Sequence, residues 1–205
     1  MTSTPDDSSV EHEGRDLRAA VIGASAGGVD ALLTLLSDLP AGWRLPIVVV
    51  IHLPDQHDSR LAEVFAQRLS IEVREAEDKL PIEDGALYFA PSGYHLSIES
   101  DLCFSLSCEP PVLFSRPAID VLMSSAADAY GPALIGILLT GANEDGAAGL
   151  LQIHEAGGLT VVQDPDEALA PMMPLSALAL HVPDHILALR EIRALLMQLD
   201  SRHAH

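Results

Sequence analysis

Two cysteines, Cys103 and Cys108, are all that this 205-residue chain contains. An odd separation would put them on opposite faces of one strand, so a local disulfide is not expected and no thiol framework holds the fold. Aromatic residues make up only 4% of the chain, and Lys and Arg number 11 against 30 Asp and Glu, for a formal net charge of −19. Nucleic acids and anionic membrane surfaces are recognised through basic surface, so neither is an expected partner. No uninterrupted apolar run reaches the length of a membrane span, and residues 1–16 lack the basic start and apolar segment of a secretory signal. A cytoplasmic protein without membrane insertion is the expectation. The His and Asp positions show no metal-ligand spacing, so neither metal nor cofactor is expected.

What is present is apolar residue in quantity, 48% of the chain, enough for one large core. Residues 1–16 are rich in Ser, Thr, Asp and Glu and read as a disordered leader, leaving 17–205 as one domain. Apolar runs at 17–22, 46–51, 133–140 and 159–162 predict buried strands, with shorter strand patterns near 71–73 and 87–91. Helical spacing predicts helices over 28–39, 58–69, 118–130, 147–156, 174–180 and 184–199. Alternating runs at 94–98 and 102–106 read as an antiparallel hairpin. The order predicts an α/β fold: a doubly wound, mostly parallel sheet with helices on both faces and a β-hairpin.

The most informative stretch is Gly23-Ala24-Ser25-Ala26-Gly27-Gly28, where the first strand meets the first helix. Gly-x-Ser-x-Gly is the spacing of a nucleophile elbow, which would present the Ser25 hydroxyl beside the free N–H groups of a helix start. An anion-binding turn or a purely structural one remains open, although neither the dinucleotide fingerprint nor a P-loop is met. A serine nucleophile needs a base and an acid to orient it. His52 ends the second core strand, and Asp145 follows the strand at 133–140, so Ser25, His52 and Asp145 would all lie at one edge of the sheet. Asp145 reads equally as an ordinary helix cap. Among the nine histidines, His12, His203 and His205 fall near the ends, His57 in a loop and His154 in a helix. His95, in the hairpin, is a structural or substrate-side candidate. His181 and His185 are serious rivals to His52, because Ser25, Asp145 and a late histidine reproduce the chain order of α/β-hydrolases.

Several ordered segments carry a resemblance. They are Ile22-Gly23-Ala24-Ser25-Ala26-Gly27-Gly28, Ile51-His52-Leu53-Pro54, Tyr88-Phe89-Ala90-Pro91 with His95, Arg116-Pro117-Ala118-Ile119-Asp120-Val121-Leu122, and Leu139 through Gly149. In order and spacing the chain resembles the catalytic domain of CheB-type protein-glutamate methylesterases of bacterial chemotaxis. The resemblance implies hydrolysis of glutamate γ-methyl esters on chemoreceptor cytoplasmic helices, often with deamidation of particular glutamines. It implies Ser25 as nucleophile, His52 as general base and Asp145 as orienting acid. Backbone N–H groups at Ala26 and Ala142 are then the candidate oxyanion donors, with Arg116 and His95 on the substrate side. Arg116 also reads as a merely solvated surface arginine.

The sequence departs from the family pattern where threonine commonly follows the nucleophile and Ala26 stands here, and where Ala142-Asn143-Glu144-Asp145 replaces Met-Gly-Asn-Asp. Family members usually carry an amino-terminal phospho-receiver domain, and residues 1–16 are too few to form one, so the expectation is either a stand-alone esterase or one that lacks its usual phosphorylation control. The rival readings are a non-catalytic α/β module binding an anion or a protein partner, and a general α/β-hydrolase using a late histidine.

Overall fold

The computed structural model describes residues 16–53 and 60–203. The expected leader lies almost wholly outside the described residues, as does the expected helix start at Asp58-Ser59. The first strand, β1 (Ala19–Ala24), is buried at every position and is followed by α1 (Gly28–Leu36) and β2 (Ile47–Ile51). Then come α2 (Leu61–Ala66), β3 (Glu72–Glu75), β4 (Ala86–Phe89) and the hairpin of β5 (His95–Ile98) with β6 (Phe104–Ser107). The second half runs α3 (Ile119–Tyr130), β7 (Leu134–Leu138), α4 (Ala147–Glu155), β8 (Leu159–Gln163), α5 (Met172–Leu180), β9 (His185–Leu187) and α6 (Leu189–His203).

All pairings in the seven-stranded sheet are parallel, in the order β3-β4-β2-β1-β7-β8-β9. The apolar runs of β1, β2 and β7 leave no polar face, which is why these strands sit at the centre and need cover on both sides. On one side Ile22, Val49 and Ile137 pack with Leu32, Leu35, Leu36 of α1, Phe65 of α2 and Leu196 of α6. On the other, Val21, Val50 and Leu138 pack with Leu122 and Met123 of α3, Leu150 of α4 and Met173 of α5, and the hairpin adds Leu96 and Phe104. The doubly wound fold with its hairpin is thus as expected.

Element ends differ. The helix expected over 184–199 starts only at Leu189, because His185-Ile186-Leu187 pairs with β8 as an edge strand. Sheet pairing overrides helical spacing in so short a run.

Candidate active site

The carboxyl ends of β2, β1 and β7 lie side by side. The His52 N–H donates to the Ala24 carbonyl (3.1 Å), and the Ser25 N–H donates to the Thr140 carbonyl (2.9 Å). Ser25 therefore leaves the sheet between His52 on one flank and the segment leading to Asp145 on the other. The Gly28 N–H closes the turn on the Ser25 carbonyl (2.7 Å), and Gly27 takes a left-handed φ of 79°. A Cβ on Gly27 would stand 2.8 Å from the Leu169 side chain, so both backbone and space demand glycine there.

Thr140 grips this turn from below. Its buried hydroxyl donates to the Ala26 carbonyl (2.9 Å) and accepts the Ala170 N–H (2.9 Å). Thr140→Val removes that hydroxyl at similar volume and leaves a donor and an acceptor unpaired. The expected loss of stability is about 1–3 kcal/mol, read from urea denaturation midpoints. A variant as stable as wild type would show the grip to be idle.

Asp145 is fully buried, and its carboxylate accepts from three donors. His52 Nε2 reaches Oδ2 at 2.8 Å, the Ile119 N–H reaches Oδ2 at 2.7 Å, and the Asp120 N–H reaches Oδ1 at 2.9 Å. The last two are the free amides at the start of α3, where a helix favours negative charge. Asp145 is thus a cap, but of α3 rather than of the α4 it precedes. Asp120 returns the exchange: its Oδ1 accepts the N–H groups of Gly146 (2.9 Å) and Gly149 (2.7 Å) at the start of α4. Gly149 permits this approach, since a Cβ there would lie 2.6 Å from Met123 Cβ.

Burial raises the Asp120 pKa, and the charge of Asp145 raises it further, against the lowering by the Gly149 and Gly146 amides. A raised carboxylate pKa means that the folded state binds the proton more tightly than the unfolded one. Asp120 therefore withdraws stability as pH climbs above the ordinary carboxylate value of 3.8. Asp120→Asn keeps an oxygen for both glycine amides and removes the charge. Its melting temperature relative to wild type is expected to be most favourable at neutral pH, with the difference shrinking as the pH is lowered below the carboxylate range. A difference independent of pH would contradict this account.

An ionised carboxylate only accepts, so the proton on the His52–Asp145 bond sits on Nε2 and the lone pair is on Nδ1. Ser115 Oγ lies 3.5 Å from Nδ1. Ser25 and His52 are neighbours through their backbones but share no side-chain hydrogen bond among the described residues. Of the two links expected in the relay, the structure forms the one between His52 and Asp145. The N–H groups of Ala26 and Ala142 have no hydrogen-bond partner among the described residues, and both residues are exposed.

A small cleft opens beside the imidazole, lined by His52, Leu53, Phe114, Ser115 and Arg116. Arg116 is exposed and its Nη1 donates to the carbonyls of Cys108 (3.1 Å) and Glu109 (3.0 Å). His95 is buried, with Nδ1 accepting the Ala118 N–H (3.2 Å) and Nε2 paired with the Pro110 carbonyl (3.1 Å). Both side chains thereby staple the irregular link between the hairpin and α3. Nothing in the composition of that link singles out Ser115. Thr140 and Asp120 stand inside the motifs read from the sequence, but their hydrogen bonds to distant amides have no signature there.

The late histidines are elsewhere. Helices α4 and α5 start at the carboxyl edge of the sheet, where the Met173 N–H donates to the Gly141 carbonyl (3.0 Å), and run back to the opposite edge. His154 and His181 meet there, with ring centroids 5.1 Å apart. Burial, and next His154, lowers the His181 pKa, and neither of its ring nitrogens has a hydrogen-bond partner among the described residues. His185 opens β9 at that strand's amino end. It is His52, not His181 or His185, that reaches Asp145. His12, His57 and His205 lie outside the described residues. Among the described residues no group of three or more His, Cys, Asp or Glu is arranged to hold a metal ion, and no helix is long and apolar enough to cross a membrane.

A model of the CheB methylesterase family matches residues 20–196. A chain from Leptospira interrogans, named as a candidate protein-glutamate methylesterase/protein-glutamine glutaminase, is 45% identical over 185 residues, covering 90% of this chain and 96% of that one. A Methanospirillum hungatei protein-glutamate methylesterase/protein-glutamine glutaminase is 38% identical, covering 92% of this chain and 54% of its own length. The crystal structure of the Thermotoga maritima CheB methylesterase catalytic domain superposes with a TM-score of 0.85 at 30% identity, covering 89% of this chain and 98% of that one. With the family model spanning most of its length and such relatives matching about nine tenths of it, the chain belongs to the CheB methylesterase family.

Proposed function

We propose that the chain is a serine hydrolase that demethylates glutamate γ-methyl esters on the cytoplasmic helices of bacterial chemoreceptors, and deamidates glutamines at equivalent positions. Residues 17–205 form its catalytic unit. The observation that carries the reading is the His52–Asp145 pair at 2.8 Å, set beside a Gly-x-Ser-x-Gly turn at the carboxyl edge of the sheet. Membership of the family supports the substrate class.

Ser25 Oγ turns toward Nδ1 of His52, loses its proton there, and attacks the ester carbonyl carbon. Asp145 holds Nε2–H and balances the imidazolium. The N–H groups of Ala26 and Ala142 receive the oxyanion, each such donor being worth about 3–4 kcal/mol. Collapse breaks the bond to the methoxy oxygen, and the proton on Nδ1 leaves with methanol. Water then cleaves the acyl-enzyme by the same route. A glutamine follows the same path with ammonia as the leaving group. In this scheme Arg116 presents positive charge to the receptor surface at the mouth of the cleft, and His95 acts by fixing the link that carries it. Apo hydrogen bonds to a nucleophile commonly tighten only when substrate is bound, which accommodates the open Ser25–His52 link. The deciding experiment is methanol release from a methylated chemoreceptor cytoplasmic fragment by wild type and Ser25→Ala.

A further inference from the structure

The turn at the lip of the cleft has a backbone that its residues do not favour. Leu113 (φ 47°) and Phe114 (φ 65°) are both left-handed, a conformation in which the Cβ of an L-residue crowds the following carbonyl oxygen. Phe114, at the tip, is fully exposed, so burial does not offset that strain. Paired backbone bonds close the turn: the Val112 N–H to the Ser115 carbonyl (3.1 Å) and the Ser115 N–H to the Val112 carbonyl (2.8 Å). The staples of Arg116 and His95 hold the link on either side. What this arrangement achieves is the placement of one hydroxyl, Ser115 Oγ, 3.5 Å from the ring nitrogen that Asp145 leaves free. Strained backbone held in place from several sides commonly marks a functional position.

We propose that Ser115 holds the water that hydrolyses the acyl-enzyme, an inference that rests on the serine-hydrolase reading above. At 3.5 Å the Ser115–His52 contact is too long to occupy the Nδ1 lone pair firmly. A water hydrogen-bonded to Nδ1 nevertheless lies within reach of Ser115 Oγ as well. In the second half-reaction the oxygen of that water forms a bond to the acyl carbon while its proton passes to Nδ1. Collapse of the tetrahedral adduct breaks the bond from carbon to Ser25 Oγ, Nδ1 returns the proton to Oγ, and a carboxylic acid leaves. In the first half-reaction Ser25 itself occupies Nδ1, and Ser115 is not needed. Its contribution falls on one step only.

The test is pre-steady-state methanol release from a methylated chemoreceptor cytoplasmic fragment. Ser115→Ala should give a methanol burst stoichiometric with enzyme, at the wild-type burst rate. A steady phase slowed about ten- to a hundredfold follows, and a covalent enzyme–receptor conjugate at Ser25 accumulates in intact-mass spectra. Ser115→Thr, which keeps the hydroxyl, should restore the steady phase and remove the conjugate. A role confined to shaping the turn would slow both phases together with no conjugate, and that result overturns the proposal, as does an unchanged steady phase. Failure of the underlying reading shows separately, as methanol release that survives Ser25→Ala in the same assay.

Discussion

Ser25→Ala is expected to lower methanol release by about five to six orders of magnitude, or roughly 7–8 kcal/mol of transition-state stabilisation. The size follows from the chemistry: without Oγ there is no acyl-enzyme, and the His52–Asp145 pair is left to activate water at a carbonyl it was not positioned to attack. Stability should barely change, because the Ser25 side chain makes no hydrogen bond among the described residues, and the turn is held by the Ser25 N–H, the Gly28 N–H and Thr140. Melting curves run alongside the assay will show whether lost activity reflects chemistry or unfolding. Turnover indifferent to the substitution would rule out the serine mechanism, whereas a wild type that releases no methanol would leave a module that binds an anion or a protein partner.

Asp145→Asn should lower turnover by about four orders of magnitude and, unlike the first substitution, destabilise the fold by about 1–3 kcal/mol. Three donors converge on this carboxylate, two on Oδ2 and one on Oδ1. An amide cannot satisfy them all. With its oxygen placed for His52 and Ile119, its NH2 faces the Asp120 N–H; turned over, the NH2 faces His52 and Ile119 together. In the second orientation the imidazole must put its lone pair on Nε2 and its proton on Nδ1, which removes the base that Ser25 needs. In either, the charge that balances the imidazolium is gone. Steady-state kinetics and urea denaturation of one preparation measure both effects, and a variant that retains a tenth of wild-type turnover would exclude Asp145 from the mechanism.

The central strands were legible because burial on both faces leaves only one kind of sequence. Val48-Val49-Val50 and Ile135-Gly136-Ile137 have no polar side to offer, and the residues that end such strands, His52 among them, collect at a single edge. Chain order and strand position pulled apart: the order of nucleophile, acid and base favoured a late histidine such as His181, whereas the place of His52 at the end of a core strand favoured His52. The direction of α5 decides it, by carrying His181 away from that edge. Three residues at 185–187 were too few for a pattern of period two to stand out from the helix that follows. The turn at Leu113-Phe114 was invisible for the opposite reason: left-handed turns are recognised by glycine and asparagine, and this one has neither. Asp145 was readable as a cap, but a sequence does not say which helix a cap will serve.

The exchange between Asp120 and Asp145 also bears on how freely the loop before Asp145 can vary. Because the amides of a helix remote in sequence hold the carboxylate, and within the loop only the Asn143 Oδ1 accepts the Asp145 N–H (3.3 Å), its position does not depend on the side chains of Ala142 or Glu144. Positions 142 and 144 therefore have latitude to adapt to whatever surface carries the ester. The His52–Asp145 pair meanwhile keeps its anchor in a separate part of the chain.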